Sequence, residues 1–171
     1  MNASFDLVLD RCVDITPAQA WRGWTDPSVL VHWFTPAPWK TLACDIDLRP
    51  GGRFHTVMRG PDPHDADVHN EGCYLEVVPQ RRLVWTNALG PGFRPLALAP
   101  EASTGFLFTA TLEFLPDAGS QASSPASGCR FVARLAHADA ASRARHESMG
   151  FEAGWTAALE QLVAWTHQHD R

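Results

Sequence analysis

The stretch CRFVARLAHADAASRARHESMGFEAGWTAALEQLVAWTHQH, Cys129–His169, changes from a strand pattern to a helix pattern. Its first nine residues alternate between two faces, which predicts a strand over Cys129–His137 that ends on an inward-pointing His137. From about Asp139, a capping residue, to His169 the spacing becomes helical. One apolar face of that helix carries Phe151, Trp155, Leu159, Leu162 and Thr166. The strand and the helix must bury these faces against each other.

A stripe of small residues, Gly150, Gly154 and Ala158, lies beside this apolar face. Each glycine inside a helix costs about 1 kcal/mol relative to alanine, so the pair needs a reason. We consider a kink at Gly150, a close backbone approach, or room left for another molecule.

Upstream of this stretch the sequence predicts a series of strands and short helices. Two short helices begin at Thr16-Pro17 and at Thr25-Asp26-Pro27. The other predicted strands are Phe5–Val13, Thr41–Leu48, Arg53–Arg59, Glu71–Val78, Arg82–Leu89 and Gly105–Leu115. The order β-α-α-β6-α predicts an α+β fold, in which a curved antiparallel sheet wraps around a long C-terminal helix. Such a sheet leaves a cavity against the helix unless side chains fill it.

The loops are polar or of low complexity. Gly60–His69 is a polar hairpin loop, Gly90–Ser103 is a long, lid-like loop, and Asp117–Ser127 is of low complexity. In the first of these, His64 and His69 stand among three aspartates, but a loop this exposed favours solvated charge over a metal site.

Composition limits the class of protein. With 171 residues and 45% hydrophobic side chains, we expect one folded domain over residues 1–171. The net charge of −5 argues against nucleic-acid binding. No segment predicts a membrane span or a secretory signal, so we expect a cytoplasmic protein. The cysteines stand singly, which predicts reduced core thiols rather than a zinc or redox site: Cys12, Cys44, Cys73 and Cys129. We expect no cofactor.

Four motifs, in this order along the chain, carry a family resemblance. They are TPAQAWRGWTDPSVLVHWF (Thr16–Phe34), DLRPGGRF (Asp47–Phe54), GCYLEVVPQRRLVW (Gly72–Trp85) and GFEAGWTAALEQL (Gly150–Leu162). Together they resemble the START-like (SRPBCC) superfamily and, within it, the family named for the activator of the heat-shock protein 90 ATPase. The resemblance implies the helix-grip fold and an internal cavity for a hydrophobic small molecule. The chaperone activator itself resembles a two-domain protein with an additional N-terminal domain, and we expect this chain to have no room for that domain.

Two histidines are the first candidates for the site. His137 ends the last strand, and His146 lies four residues before Gly150, so both can flank one end of the cavity. There they would orient a polar ligand group or move a proton. Alternatively, His137 bonds a backbone group and His146 lies in solvent.

Aromatic residues supply the other candidates. Trp85 and Phe108 lie on apolar strand faces, and Tyr74, the single tyrosine, is a candidate hydrogen-bond donor. Trp155 belongs to the C-terminal helix, and Trp33 with its neighbour Phe34 forms either an aromatic gate or a core plug. For Phe108 and Trp33 the alternative role is core packing, and for Tyr74 it is a position that faces the surface.

These observations favour a binder of a small hydrophobic or aromatic molecule over an enzyme. The ligand-binding candidates are Trp33, Tyr74, Trp85, Phe108, His137, His146 and Trp155. An acid–base enzyme of the polyketide cyclase or dehydratase type, with His137, His146 or Glu76 as base, is the first alternative. A co-chaperone-like interaction module is the second, and it predicts a large exposed patch and little cavity. Strands 71–78 and 129–137 are candidates for contacts in a homodimer.

Overall fold

The first helices begin where the sequence places its start signals. The Thr16 side chain accepts a hydrogen bond from the Gln19 backbone N–H, and the Gln19 side chain accepts one from the Thr16 N–H at 2.9 Å. This reciprocal pair is a capping box. Asp26 accepts a hydrogen bond from the Ser28 N–H at 2.9 Å and starts the second helix. Both predicted starts are confirmed.

The computed structural model describes residues 5–62, 64–96, 106–117 and 128–169. Its strands are β1 (Asp6–Val13), β2 (Lys40–Ile46), β3 (Arg53–Arg59), β4 (Val68–Val78), β5 (Arg82–Thr86), β6 (Leu89–Gly90), β7 (Arg94–Pro95), β8 (Phe108–Pro116) and β9 (Cys129–His137). Its helices are α1 (Pro17–Thr25), α2 (Pro27–Leu30), α3 (Ala140–Ser148) and α4 (Phe151–His169), with a 3-10 turn at Pro91–Phe93.

Seven strands form one antiparallel sheet in the order β1-β9-β8-β5-β4-β3-β2. The predicted fold class is confirmed. β1 joins the sheet by pairing with β9, where Leu7 lies opposite Leu135. Both strands considered for dimer contacts, β4 and β9, are internal to the sheet, so their backbone groups are paired within the chain. The edges of the sheet are β1 and β2.

The predicted long C-terminal helix is divided in two. Asp139 caps α3 by accepting a hydrogen bond from the Ser142 N–H at 2.7 Å. Gly150 then adopts φ of +87°, a left-handed conformation that glycine reaches without steric cost. The chain turns there, and α4 starts at Phe151. The kink is therefore the role of Gly150.

The core lies between the sheet and the helices. All the inward positions of β9, from Cys129 to His137, are buried as the alternation predicts. Trp24 of α1 stacks on Phe131 of β9 and on Trp155 of α4, with ring centroids 6.0 and 5.9 Å apart. This aromatic contact joins both helices to the sheet.

Some predicted segments lie outside the described residues. The lid-like loop Gly90–Ser103 is described only to residue 96, where β6 and β7 form a small hairpin. The rest of it, and the low-complexity segment after Asp117, are not described. β4 begins at Val68, inside the predicted loop Gly60–His69. None of the described helices is long and apolar enough to cross a membrane.

Candidate functional site

A cavity of about 570 Å³ lies between the concave face of the sheet and α4. This volume is within the range of sites for small organic ligands. Aromatic residues are the largest group in its wall: Trp24, Trp33, Phe34, Trp39, Phe54, Trp85, Phe106, Phe108, Phe131, Phe151 and Trp155. The polar members are fewer: Thr35, Thr56, Asn70, Glu71, Asn87 and His146.

Small residues on α4 keep this space open. Gly154 and Ala158 both line the cavity. A Cβ atom added at Gly154 would meet only Cγ of Pro36 within 4 Å, at 4.0 Å. No backbone approaches Gly154 closely, so the small-residue stripe leaves room, which is one of the roles considered from the sequence.

The cavity opens to solvent between two segments. Among the described wall residues, two large hydrophobic side chains are exposed: Trp39 at 40%, and Met149, at the junction of α3 and α4, at 60%. Trp39 belongs to a connector between α2 and β2, residues 35–39, that also contributes Pro36 and Ala37 to the wall. We call this opening, between the connector and the α3–α4 junction, the mouth.

Gln161 of α4 holds the connector in place. Its side-chain N–H₂ donates to the carbonyl oxygens of Trp33 and Thr35 at 2.9 and 3.0 Å, and its oxygen accepts from the Ala37 N–H at 2.9 Å. One side chain thus satisfies three backbone groups and fixes one side of the mouth to α4.

The two candidate histidines are in contact. Nε2 of His137 lies 3.0 Å from Nδ1 of His146, and Nδ1 of His137 lies 3.0 Å from the carbonyl oxygen of Phe5. Burial, and secondly the neighbouring His137 ring, lower the pKa of His146 to about 4. His146 is therefore uncharged at neutral pH. The structure combines the two roles considered, since His137 bonds a backbone group while His146 faces the cavity.

Other polar side chains of the wall already have partners. The Asn87 side chain donates to the Phe106 carbonyl at 3.1 Å and accepts from the Phe108 N–H at 2.8 Å, which fixes the start of β8. Asn70 donates to Oγ1 of Thr56 at 3.3 Å. In contrast, the indole N–H groups of the wall residues Trp24 and Trp85 have no hydrogen-bond partner among the described residues.

Five of the seven predicted ligand-binding residues line the cavity, and two do not. The wall includes Trp33, Trp85, Phe108, His146 and Trp155. Trp33 is a fixed part of the wall rather than a gate, because it is buried and its indole N–H donates to the Gly23 carbonyl at 3.0 Å. His137 lies behind His146.

Tyr74 is buried outside the wall. Its ring packs on Phe54, with centroids 5.5 Å apart, and none of its surface is exposed. Within the described part of the chain its hydroxyl has no hydrogen-bond partner, and burial raises the pKa of Tyr74 above its ordinary value. Its expected role as a ligand donor is thus not supported by its position. Glu76, considered as a base, lies off the wall with its carboxylate 3.4 Å from Arg82.

Sequence reasoning missed several wall residues, among them Thr56, Asn70 and the mouth residue Met149. Thr56 is buried on β3, a strand whose pattern gave no functional signal. Trp39 is a further wall residue outside the predicted ligand-binding set. The signal that marks it is a large aromatic side chain directly after Pro36 and Pro38, in a connector rather than in a helix or strand.

The cysteines differ in exposure from the expectation of four core thiols. Cys73 and Cys129 are buried, Cys44 is half-buried, and Cys12 is exposed on β1. All four are free thiols. Burial raises the pKa of Cys44 to about 12 and that of Cys129 to about 11, so neither is a thiolate nucleophile at neutral pH.

The segment that carries His64 and His69 contacts the neighbouring strand β3. Nδ1 of His69 lies 3.3 Å from Nε2 of His55 on β3. The carboxylate of Asp67 accepts two hydrogen bonds from Arg59, also on β3. Over residues 5–62, 64–96, 106–117 and 128–169, no group of three or more metal-ligating side chains is arranged to hold an ion.

Comparison with known proteins agrees with this architecture. The family model for activator of Hsp90 ATPase homolog 1-like proteins matches residues 14–166. A crystal structure from Nitrosomonas europaea is 37% identical, with a TM-score of 0.85 and 99% of each chain covered.

More distant structures share the fold. A Rhodobacter sphaeroides protein is 19% identical, with a TM-score of 0.76 over 96% of this chain and 94% of the other. The AHSA1-like protein of Aeromonas hydrophila is 16% identical, with a TM-score of 0.66 over 96% of this chain and 94% of the other. No functionally curated protein matches the sequence.

Proposed function

The chain belongs to the family of activator of Hsp90 ATPase homolog 1-like proteins, and we propose that it binds a small hydrophobic or aromatic molecule between the sheet and α4. The observation that carries the proposal is the cavity of about 570 Å³ with its aromatic wall. The chain has seven tryptophans and nine phenylalanines, yet the small residues Gly154 and Ala158 of α4 leave space between them.

The distribution of exposed apolar residues favours this function over an interaction module. A protein-docking surface needs a contiguous apolar patch. Among the described residues, the exposed large hydrophobic side chains come from separate elements, for example Val8 on β1, Leu42 on β2 and Phe93 after β6. Two others, Trp39 and Met149, line the mouth of the cavity.

One observation favours a second candidate, an acid–base enzyme. His146 faces the cavity, is uncharged at neutral pH and is bonded to a second histidine. A base of this kind can remove a proton from a bound substrate. The carboxylate of Glu71, on the same wall, is bonded to Arg53 at 2.8 and 2.7 Å, so it is a poor partner acid. We therefore rank binding first.

Isothermal titration calorimetry with 2-methoxynaphthalene tests the binding function. Gly154→Leu adds bulk in the open space at Gly154 and replaces glycine with a better helix former, so the fold is retained. Ala153→Leu is the matched control, because Ala153 is exposed on the same helix and does not line the cavity.

We expect saturable binding to the wild type and to Ala153→Leu, and a loss of at least tenfold in affinity for Gly154→Leu. The proposal is wrong if the wild type shows no binding up to the solubility limit of the probe, or if both variants bind equally well.

A further inference from the structure

The hydrogen bond between His137 and Phe5 determines the tautomer of the first ring. Nδ1 of His137 lies 3.0 Å from the carbonyl oxygen of Phe5. A carbonyl oxygen only accepts hydrogen bonds, so Nδ1 of His137 carries a proton and donates it. In an uncharged ring the other nitrogen, Nε2, then presents a lone pair.

The tautomer of the second ring follows from the first. Nδ1 of His146 lies 3.0 Å from Nε2 of His137. With both rings uncharged, Nε2 of His137 must accept, so Nδ1 of His146 donates. This leaves Nε2 of His146 without a proton, as a hydrogen-bond acceptor. The order of donation runs from His146 to His137 to the Phe5 backbone.

His146 presents this acceptor in an aromatic environment at the cavity. Its ring lies 4.7 Å from Phe106, 5.5 Å from Phe108 and 5.3 Å from Phe151, measured between ring centroids, and all three also line the cavity. Among the residues that the structure describes, none donates a hydrogen bond to Nε2 of His146. The depressed pKa of His146, about 4, keeps the ring uncharged in this setting.

The charges on the wall disfavour an anionic ligand. No lysine or arginine is among the described residues that line the cavity. The charged wall residue Glu71 is itself an anion, and its carboxylate is bonded to Arg53. A carboxylate on the ligand would meet a lone pair at His146 and, among the described wall residues, no lysine or arginine to neutralise its charge.

From this arrangement we infer that the cavity takes an uncharged aromatic molecule whose hydroxyl group donates a hydrogen bond to Nε2 of His146. His137 acts as a positioning residue, because it fixes the tautomer of His146 without lining the cavity. The inference rests on the proposed binding function and adds the polar group that the ligand carries.

Three naphthalene probes test the inference by calorimetry at neutral pH. They are 2-naphthol, which donates a hydrogen bond, its methyl ether 2-methoxynaphthalene, which does not, and the anion 2-naphthoate. In the wild type we expect 2-naphthol to bind more tightly than the ether by about three- to tenfold, the range for one neutral hydrogen bond. We expect 2-naphthoate to bind most weakly.

The His146→Phe variant keeps an aromatic ring and removes the acceptor, so the preference for naphthol over its ether falls to about one. In His137→Phe the ring of His146 is free to place its proton on Nε2, and the preference also falls, although His137 does not reach the ligand. A merely structural role of His137 would weaken both probes equally.

A spectroscopic measurement on the unmodified protein covers the case of a variant that fails to fold. Long-range ¹H–¹⁵N NMR distinguishes a protonated ring nitrogen from a bare one, and we expect His146 to carry its proton on Nδ1. A proton on Nε2 of His146 would overturn the inference.

The failures of the two proposals are distinguishable. If none of the probes binds to the wild type, the binding function itself is wrong. If naphthol and the ether bind equally well, and His146→Phe changes neither, the cavity binds ligands but the hydroxyl inference is wrong.

Discussion

Nε2 of His137 and Nδ1 of His146 lie 3.0 Å apart, and this contact ties α3 to the end of β9. α3 has no fully buried residue, and the contact joins its partly buried His146 to the buried His137 of β9. The polar link that orients the candidate ligand acceptor also holds the helix beside the mouth.

The lowered pKa of His146 predicts a pH dependence of stability. The folded protein resists protonation of this ring until about pH 4, whereas the unfolded chain takes up the proton near the ordinary value of 6.5. The unfolded state therefore binds more protons between these values, and the free energy of unfolding falls as the pH is lowered through this window. Denaturant unfolding at a series of pH values measures it.

The His146→Phe variant is the control for that experiment. His137 is the titratable group that faces His146, and the other elements on the ring present Phe106, Phe108 and Phe151. Carboxylates with lowered pKa values, such as Asp10 and Asp139, contribute equally to both proteins. We expect a shallower decline in His146→Phe; identical slopes would contradict the assignment.

The two glycines of the small-residue stripe predict opposite effects on stability. Gly150→Ala places a side chain at φ of +87° and should cost about 1–2 kcal/mol. Gly154→Ala, within α4 and with open space around its Cβ position, should stabilise by about 0.5–1 kcal/mol. Denaturant unfolding of the pair measures both. Equal signs would contradict the assignment of Gly150 as the break between α3 and α4.

Gln161→Leu removes the side chain that bonds the connector to α4. Because three backbone groups lose their partner, we expect the free energy of unfolding to fall by about 1–3 kcal/mol. We also expect faster release of 2-methoxynaphthalene, since the connector forms one side of the mouth. Stopped-flow dissociation measures the rate, and Gln168→Leu, at an exposed position of the same helix, is the control. An unchanged release rate in Gln161→Leu would show that the connector does not limit it.

Thr16→Ala tests the capping box at the start of α1. The substitution removes the side-chain acceptor of the Gln19 N–H and should cost about 1 kcal/mol of folding stability. Thr16→Ser keeps the hydroxyl and should restore most of the loss. If alanine and serine behave alike, the hydroxyl does not cap the helix.

The sequence predicts the sheet well because strand alternation is local. β3 and β9 have the predicted bounds, Arg53–Arg59 and Cys129–His137, and the inward side chains of β9 are those that alternation selects. The approach of the two histidines also follows from local rules, since His137 ends an inward face and His146 precedes the small-residue stripe.

Other features depend on long-range packing, which one sequence does not encode locally. Tyr74 shares a face with the wall residue Trp85, its partner across β4 and β5, but Phe54 covers it. The mouth forms because Gln161 brings the connector with Trp39 against α4, a contact between residues more than a hundred positions apart. The sequence alone does not decide the role of Gly150, because a glycine in a helical pattern is compatible with both a helix break and an open space beside the helix.

Ligand binding in the cavity is the central claim, and the tryptophan indole N–H signals test it most directly. Five of the seven tryptophans line the cavity, whereas Trp21 and Trp165 lie outside its wall. In ¹H–¹⁵N spectra recorded with increasing 2-methoxynaphthalene, we expect saturable shifts for Trp24, Trp33, Trp39, Trp85 and Trp155, and little change for the other two. Shifts confined to Trp21 and Trp165, or no shifts at all, would contradict the proposed site.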